Sequence, residues 1–286
     1  ITTRLVGSEM CIRDRCKIVF SDIDGTLLTS ENKIGENTNK KIKELEYLGI
    51  PFVLVSARMP EGIYLVQKAL NIKSPIVCYS GGLIIDEENK IIDSRGIKVS
   101  KAIEVKKYVK DNWKDICCSV YSYNNWIADD IKNKWIIQES EITKAIPIIG
   151  ELTDVLENNQ EIHKILCMGD ANIINEAVNK LKEKYPELSI YKSKDTYLEI
   201  MEGQANKADA VKILCDSMNI NIKHSISFGD NYNDIDMLKT TGKSYAMGNA
   251  PEEVKMQADY VTLDNNNEGI FEVLKNCLLY TSDAAD

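Results

Sequence analysis

Four short apolar segments of this chain each run into a cluster of polar and glycine residues. Residues 17–20 lead into Ser-Asp-Ile-Asp-Gly-Thr, residues 51–55 into Ser-Ala-Arg, residues 74–78 into Tyr-Ser-Gly-Gly, and residues 225–228 into Gly-Asp-Asn-Tyr-Asn-Asp. A short apolar run that ends in a polar loop is typical of a buried parallel strand. Apolar residues at helical spacing separate the first three runs. This alternation of strands and helices predicts an α/β fold built on a parallel sheet.

The middle of the chain departs from this alternation. Residues 84–92 have the pattern of a short hairpin, and a helix is expected later at 171–184, between two further strands. The parallel pattern returns with a helix at 206–219 and the strand at 225–228. We therefore predict a Rossmann-like parallel-sheet core, formed by residues 16–83 and 198–276, that is interrupted by an inserted α+β cap domain at residues 84–197.

The two ends of the chain follow neither pattern. Residues 1–15 and residues 277–286 lack useful periodicity, and both resemble translated sequencing-adapter sequence. We expect them to be non-native tails and exclude them from the fold. A pair of genuine disordered tails is the alternative, and the predicted function is the same in either case.

The charge balance limits the partners. Lys and Arg total 35 against 44 Asp and Glu, which gives a formal net charge of -9. A negative surface repels phosphate backbones, so we expect no nucleic-acid partner, and a site for an anionic substrate must carry its own positive charge. No apolar run approaches the ~18 residues needed to cross a bilayer, and no signal peptide is recognisable. We therefore predict a cytoplasmic protein with no membrane partner.

The first polar cluster places two carboxylates two residues apart, at Asp22 and Asp24, directly after a predicted strand. One carboxylate at such a position can attack a phosphorus atom and form an acyl phosphate. The second can protonate the leaving oxygen and then deprotonate a water molecule. Thr26, in the same turn, is a candidate for binding phosphate. A surface turn rich in Asp and Gly is the alternative, which the position after an apolar strand disfavours.

The last of the four clusters contains Asp230 and Asp234, which can converge on one cation. Oxygen ligands of this kind suit Mg²⁺. If no cation were bound, some of the carboxylates gathered at this sheet edge would have to be protonated. Asn233 is a further candidate for binding phosphate, whereas capping of a helix is the alternative explanation for this cluster.

Five more residues are candidates because of their position after a strand or at a helix start. The Ser56 hydroxyl could hold a phosphoryl oxygen, and Lys207, at the start of a predicted helix, could neutralise phosphate and nucleophile. Arg58 lies close to Ser56 in the chain, and Ser80 and Gly81 follow the third strand, so Arg58, Ser80 and Gly81 are candidate substrate contacts. Ser56 or Lys207 taken alone is more often an ordinary solvated or packing residue, whereas the two explanations for Arg58 are evenly balanced.

Together these clusters resemble the motifs of the haloacid dehalogenase-like hydrolase superfamily, and most closely those of its Cof-type sugar-phosphatase branch, whose cap is inserted after the third core strand. The resemblance extends over about residues 17–275 and includes Ala-Met-Gly-Asn-Ala at 246–250. The chain has Ser56-Ala57-Arg58 where the family usually has Thr-Gly-Arg, and Ser80-Gly81 where Asn-Gly is usual. These departures remove no catalytic group, so they bear on the choice of substrate rather than on the reaction.

The resemblance implies a magnesium-dependent phosphatase that acts through an aspartyl-phosphate intermediate on a small phosphorylated metabolite. Asp22 would be the nucleophile and Asp24 the acid and base. Sugar phosphates, flavin mononucleotide and pyridoxal phosphate all stay open as substrates. The ligands of the Mg²⁺ ion, directly or through water, would be the Asp22 carboxylate, the Asp24 main-chain carbonyl, and the carboxylates of Asp230 and Asp234.

Two other functions stay open on the same scaffold. One is a regulatory protein that binds a phosphorylated metabolite with little turnover, although a binding protein does not need an acid and base such as Asp24. The other is a phosphotransferase or mutase, which must exclude water while phosphate passes to a second hydroxyl.

Three aromatic residues of the predicted cap, Tyr121, Tyr123 and Trp126, alternate on what reads as one strand. We expect their shared face to pack against the core, and contact with a sugar ring is the alternative. His163 begins an apolar run in the same region, and a packing or surface role is expected for it.

Overall fold

A computed structural model describes residues 16–156 and 160–277 of the chain. The two end segments, 1–15 and 277–286, therefore lie outside the described residues, apart from residue 277. No helix within the two described ranges has the length and apolar character needed to span a membrane.

The strands, in chain order, are β1 (Ile18–Ser21), β2 (Phe52–Val55), β3 (Ile76–Cys78), β4 (Leu83–Ile85), β5 (Ile91–Ser94), β6 (Ile97–Lys98), β7 (Cys117–Ser122), β8 (Asn125–Ala128), β9 (Ile148–Ile149), β10 (Glu161–Ile162), β11 (Lys164–Met168), β12 (Leu188–Lys194), β13 (Tyr197–Glu202), β14 (Ser225–Gly229), β15 (Lys243–Ala246) and β16 (Tyr260–Val261). The α-helices are α1 (Glu36–Tyr47), α2 (Pro60–Leu70), α3 (Val99–Asn112), α4 (Lys134–Thr143), α5 (Leu152–Val155), α6 (Ala171–Lys184), α7 (Lys207–Ser217), α8 (Ile235–Thr240), α9 (Glu252–Lys255) and α10 (Gly269–Cys277). Short 3-10 helices lie at Tyr79–Gly81, Ile222–His224, Tyr232–Asp234 and Asn265–Asn267.

Eight strands form the large sheet, in the order β16-β15-β14-β1-β2-β3-β4-β5. β1 runs parallel to both of its neighbours, and Ser21 is level with Phe228 of β14 and Leu54 of β2. Side chains point alternately to two helical layers: Val19 packs with residues of α1, α2 and α10, whereas Phe20 packs with residues of α7 and α8. Burial on both faces explains the continuous apolar runs. The predicted Rossmann-like core is confirmed.

The hairpin at residues 84–92 belongs to this large sheet, so its assignment to the cap is wrong. β4 pairs antiparallel with β3, and β5 pairs antiparallel with β4. The chain reverses directly after β3, where Tyr79, Ser80 and Gly81 have φ values of 51°, 53° and 107°. This tight reversal returns β4 along the free edge of β3, and a hairpin pattern alone does not reveal which strand the hairpin joins.

A second sheet has the order β12-β13-β11-β7-β8-β9 and is antiparallel except between β8 and β9. We call it the cap sheet. Helices α3 and α6 cover one of its faces, where Val105 and Ile174 pack with Ile165 and Leu198. β13 pairs with β11 and β12, so the predicted return to the core at residue 198 falls inside a strand of the cap sheet. The remaining domain boundaries stay predictions.

The three aromatic residues of the cap do not share one strand, which corrects that prediction. Tyr121 on β7 and Trp126 on β8 are cross-strand partners whose rings stack with centroids 5.8 Å apart. Tyr123 lies in the turn between these strands with a φ of 51°. Tyr121 and Trp126 are buried in the same apolar cluster as Tyr79 of the core, which confirms the packing role for these two rings.

Candidate active site

Two aspartates meet at the carboxyl ends of β1 and β14. Asp22 directly follows β1, and its amide N–H donates to the Phe228 carbonyl at 3.1 Å, which ties the turn to β14. Asp230 directly follows the end of β14. Neighbouring parallel strands end at the same edge of a sheet, where α/β proteins place their sites. Asp22 is 7% exposed and Asp230 is half-buried.

Gly25 lets the turn after β1 approach Asp230. Its φ is +87°, and a Cβ at this position would lie 2.3 Å from Oδ2 of Asp230. Both the left-handed backbone and the close approach require glycine. The next residue, Thr26, donates from its hydroxyl to Oδ1 of Asp230 at 2.6 Å. Thr26 therefore orients a carboxylate, and its hydroxyl proton is not directed at a phosphate.

Lys207 is the first residue of α7, and its side chain is fully buried. The preceding residue, Asn206, caps the helix by accepting a hydrogen bond from the Asp209 amide at 2.8 Å. This cap fixes the start of α7 and so directs the Lys207 side chain toward Asp22 and Asp234. Its ammonium lies 2.6 Å from Oδ1 of Asp22 and 2.6 Å from Oδ1 of Asp234.

Asp234 uses both of its carboxylate oxygens within the protein. Oδ2 accepts hydrogen bonds from the amides of Asp230 and Asn231, each at 3.0 Å, and Oδ1 accepts from Lys207. Asn231 and Asp234 form a capping box around the Tyr232–Asp234 turn. Asp234 therefore caps this turn and is also bonded to the buried ammonium of Lys207.

The site carries more negative than positive charge. Burial raises the pKa of Asp22 well above its usual range, and Asp234 and Asp230 raise it further, against the attraction of Lys207. Burial likewise raises the pKa of Asp230 to about 6. Burial lowers the pKa of Lys207, but Asp22 and Asp234 raise it by more, so the amine stays protonated. Three carboxylates that share one ammonium need a further cation to be ionised together.

The donor set fits a hard divalent cation. Carboxylate oxygens of Asp22, Asp230 and Asp234 all lie within 4.8 Å of one another. An all-oxygen set with few protein ligands suits Mg²⁺, which usually keeps several waters. The Asp24 carboxylate is not in this group.

The Asp24 carboxylate instead forms a two-point ion pair with Arg58. The guanidinium donates from Nε to Oδ2 at 2.9 Å and from Nη2 to Oδ1 at 2.5 Å. Both side chains are partly exposed, at 55% for Asp24 and 33% for Arg58. Arg58, a candidate substrate contact from its position, therefore holds the candidate acid and base.

Ser56 and the turn after β3 lie next to one another. Ser56 is 2% exposed, and its hydroxyl oxygen accepts from the Arg58 amide at 3.3 Å. Its carbonyl accepts from the Ser80 amide at 2.9 Å. Gly81 packs so closely on Asn206 that a Cβ would lie 2.2 Å from the Asn206 carbonyl oxygen. The turn therefore joins the end of β2 to the start of α7.

The Asn233 side chain does not bond to the other candidate residues of the site within the described part of the chain. It is exposed in the Tyr232–Asp234 turn, and no hydrogen bond within the described residues holds its side chain. A different asparagine, Asn249, contacts the first turn by donating to the Gly25 carbonyl at 2.9 Å. The Ala-Met-Gly-Asn-Ala segment that contains it was part of the motif pattern and could have indicated this contact.

The turn between β7 and β8 brings the cap sheet onto the edge of the core. The Tyr79 hydroxyl donates to the Tyr123 carbonyl at 2.6 Å, and the Glu61 amide donates to the Asn124 side chain at 2.8 Å. His163 stacks on Tyr79 with ring centroids 5.1 Å apart, and burial lowers its pKa to about 4. The packing role expected for His163 is confirmed.

Comparison with known proteins gives a consistent result. A family model described as haloacid dehalogenase-like hydrolase matches residues 19–274. A Haemophilus influenzae protein with a provisional phosphatase name is 39% identical over 259 residues, which cover 91% of this chain and 97% of that protein. A Bacillus subtilis protein named 5-amino-6-(5-phospho-D-ribitylamino)uracil phosphatase is 25% identical over 268 residues, covering 92% and 96%. A Bacteroides thetaiotaomicron haloacid dehalogenase-like hydrolase superposes with a TM-score of 0.83 at 25% identity, covering 91% and 98%.

Proposed function

This chain belongs to the haloacid dehalogenase-like hydrolase family, and we propose that it is a magnesium-dependent phosphatase that hydrolyses a small phosphomonoester through an aspartyl phosphate. The observation that carries the proposal is the buried Asp22 carboxylate, which lies within hydrogen-bond distance of Lys207 and beside two further carboxylates. Phosphoryl transfer to an aspartate requires a nucleophile, a fixed positive charge and a set of oxygen ligands, and these are the three parts present.

In the first step, a carboxylate oxygen of Asp22 attacks phosphorus. A bond forms between this oxygen and phosphorus while the bond from phosphorus to the leaving oxygen breaks. The raised pKa of Lys207 keeps its ammonium charged, which offsets the negative charge of the phosphoryl group. Asp24 donates a proton to the leaving oxygen. The Ser56 hydroxyl is a further donor to a phosphoryl oxygen.

In the second step, Asp24 takes a proton from a water molecule. The water oxygen bonds to phosphorus as the bond between phosphorus and Asp22 breaks, so inorganic phosphate leaves and the carboxylate is restored. Arg58 holds both oxygens of Asp24. A fixed carboxylate delivers and accepts the proton from one direction, which favours the reacting geometry.

When bound, Mg²⁺ would neutralise the negative charge that develops on the phosphoryl oxygens. The residues that would hold it are the Asp22 and Asp230 carboxylates and the Asp24 main-chain carbonyl, with Asp234 acting through water. The raised pKa values of Asp22 and Asp230 support this set, because burial disfavours their charged forms and a bound cation would stabilise those forms.

Release of inorganic phosphate from a panel of phosphomonoesters, measured with Mg²⁺ and with EDTA, tests the proposal. We expect the wild-type protein to release phosphate only with Mg²⁺. We expect Asp22→Asn to release none, because the amide keeps the shape of the side chain but is not a nucleophile. Asp236→Asn is the matched control, since Asp236 is exposed and lies on α8, two residues after Asp234. The rate of phosphate release by this variant should equal that of the wild type.

The outcomes separate the three functions that share this scaffold. A folded wild-type protein that binds phosphate esters but releases no phosphate would contradict the phosphatase and favour a regulatory binding protein. Transfer of phosphate to a second hydroxyl without free phosphate would favour a phosphotransferase or mutase. Magnesium-dependent release that Asp22→Asn retains would contradict the aspartyl-phosphate mechanism.

A further inference from the structure

An open cavity of about 370 Å³ lies on the face of the cap sheet that α3 and α6 cover. α3, the start of β7, the residues after β8 and the start of α5 enclose it. Apolar side chains that line it, such as Ile116 and Leu152, belong to the cluster packed between the sheet and these helices. A cavity of this size is in the range that small organic molecules occupy.

The cavity is positively charged, in contrast to the chain as a whole. Four lysines line it, Lys106, Lys107, Lys110 and Lys114. Lys106 pairs with Asp129 at 2.6 Å, whereas the other three lysines form no ion pair with any residue that the structure describes. The lining carboxylates are those of Asp129, Asp130 and Glu151, so the lysines outnumber them on a chain whose net charge is -9. The local field therefore attracts small anions.

A pair of thiols begins at this cavity. Cys118 of β7 lines it, and Cys167 of β11 lies directly opposite Cys118 in the antiparallel pairing. Their sulfur atoms are 3.2 Å apart, and both thiols are free. Opposite residues of antiparallel strands have Cα atoms about 4.5–5.5 Å apart, which is within the separation of about 4.4–6.8 Å that a disulfide requires. A bond between these two sulfurs therefore needs little movement of the backbone.

The two thiols differ in access. Cys118 is half-buried, whereas Cys167 is fully buried and is not among the residues that line the cavity. The hydrogen bond with Cys167 and burial raise the pKa of Cys118 well above its usual range, against the attraction of Lys106. The reactive thiolate is therefore a minor form at neutral pH. A reagent held in the cavity has an advantage over one that must collide with the sulfur from solution.

We propose that the cavity is a thiol–disulfide exchange site for small anionic disulfides, in which Cys118 attacks the reagent and Cys167 resolves the product. The Cys118 thiolate first bonds to one sulfur of the reagent, whose sulfur–sulfur bond breaks and releases one half as a thiolate. The Cys167 sulfur then loses its proton and bonds to the Cys118 sulfur, which releases the second half. The protein gives up two electrons and two protons, and the reagent takes them up as two thiols.

The new bond would join β7 to β11 in the cap sheet. It would close the chain between residues 118 and 167 into a loop, which stabilises a fold by restricting its unfolded state. Neither step uses a residue of the candidate active site, so the inference is independent of the proposed phosphatase function.

Intact mass and peptide mapping, after treatment with bis(carboxyethyl) disulfide, test the roles of the two thiols. We expect the wild-type protein to lose two hydrogen atoms and to yield peptides joined through Cys118 and Cys167. Cys167→Ala should stop at the mixed disulfide and gain the mass of half the reagent on Cys118, whereas Cys118→Ala should form neither product. Cys117→Ser is the matched control, because Cys117 lies opposite Met168, and it should react as the wild type does.

Reagents of different charge test the role of the lysines. The measured quantity is the rate with bis(carboxyethyl) disulfide divided by the rate with the uncharged bis(hydroxyethyl) disulfide. We expect this ratio to be about tenfold higher in the wild type than in a protein carrying both Lys107→Met and Lys110→Met, because these charges concentrate the anion. The intrinsic reactivity of each reagent cancels in the comparison. Lys68→Met, at an exposed lysine of α2 in the core, should leave the ratio unchanged.

The outcomes are decisive for each part. If the double lysine variant does not fold, high salt should lower the wild-type ratio in the same way, because it screens the charges. A folded wild-type protein that forms no bond between Cys118 and Cys167 would overturn the exchange site. A ratio that neither the lysine substitutions nor salt changes would overturn the role of the cavity in selecting anions.

Discussion

Lys207 donates a hydrogen bond of 2.6 Å to Asp22 across a sequence separation of 185 residues. The bond joins the first residue of α7 to the residue that follows β1, and the whole cap sheet is inserted between them in the chain. The lysine side chain is fully buried and that of Asp22 is 10% exposed. The pair therefore exists only when the two halves of the core have come together, and removing either partner leaves a buried charge.

Lys207→Met should lower both stability and activity. Breaking a buried ion pair by removing one partner costs about 3–5 kcal/mol, and loss of the positive charge at the phosphoryl group should lower kcat about a hundredfold or more. Chemical denaturation and phosphate release measure the two effects. Lys212→Met, at an exposed lysine of the same helix, should change neither. A Lys207→Met protein with the stability and kcat of the wild type would contradict both roles.

Ionisation of Asp230 should destabilise the metal-free protein as pH rises from about 4 to about 6, against the opposite effect of His163, whose pKa burial lowers to about 4. Burial raises the pKa of Asp230 to about 6 in the folded state, whereas an unfolded Asp has a pKa of about 3.9. Over this window the folded protein holds a proton that the unfolded chain has released, so rising pH favours unfolding. The raised pKa of Asp22 acts in the same direction. Thermal unfolding of the wild type and of Asp230→Asn, compared in EDTA across this window, separates the effect of Asp230 from that of His163.

Magnesium should reverse this trend, because its ligands must be deprotonated. We expect its stabilising effect to grow as pH rises through about 6, the pKa of Asp230. Asp230→Asn should make the stability in EDTA rise more steeply with pH and should reduce the stabilisation by Mg²⁺, whereas Asp236→Asn should alter neither. The same pH dependence in Asp230→Asn and the wild type, measured without metal between about pH 4 and about pH 6, would show that Asp230 titrates normally.

Arg58→Met should slow the reaction most for esters with poor leaving groups. The guanidinium bonds both oxygens of Asp24, so its loss frees the carboxylate that protonates the leaving oxygen. We expect kcat to fall about tenfold or more for an alkyl phosphate and by less for p-nitrophenyl phosphate, whose leaving group needs little protonation. Arg95→Met is a matched control, because Arg95 has a similar exposure of 31% and pairs with Asp93 and Asp209 instead. Equal losses for the two esters would contradict a role through Asp24.

Much of the core could be predicted from the sequence because its signals are local. Helix α2 (Pro60–Leu70) has a local sequence signal at each end, because proline begins it and Asn71 ends it in the left-handed region. Asp22 and Asp230 were predicted because each directly follows a strand of the parallel sheet, and the common edge of that sheet brings them together. Neither inference needs a contact between distant side chains.

The parts that could not be predicted depend on such contacts. The pairing of Arg58 with Asp24 is formed by two partly exposed side chains 34 residues apart, and no spacing rule selects it. Glu199 alternates with apolar residues of β13, and Lys164 precedes a continuous apolar run on β11, so neither position indicates in sequence that its charge is buried. The helical layer covers the opposite face, and only the packing of the cap sheet on the core shows that these charges are buried.

Gly81→Ala should be far more damaging than Gly49→Ala, although both glycines have positive φ values, of +107° and +72°. A Cβ at Gly49 meets no atom within 4 Å, so this substitution should cost only the strain of the left-handed backbone, about 1–2 kcal/mol, and leave activity unchanged. A Cβ at Gly81 would lie 2.2 Å from the carbonyl oxygen of Asn206.

The difference in stability between the two variants measures the cost of the close contact between a Cβ at residue 81 and the Asn206 carbonyl oxygen. Backbone atoms cannot rotate away, so either the turn after β3 or the start of α7 must move, and Lys207 is the first residue of that helix. We expect Gly81→Ala to unfold with at least about 2 kcal/mol less stability than Gly49→Ala and to show a lower kcat, because a displaced helix start moves the ammonium away from Asp22. Chemical denaturation and phosphate release, measured on both variants, check this. Equal stability and equal kcat in the two proteins would show that the turn does not position the lysine.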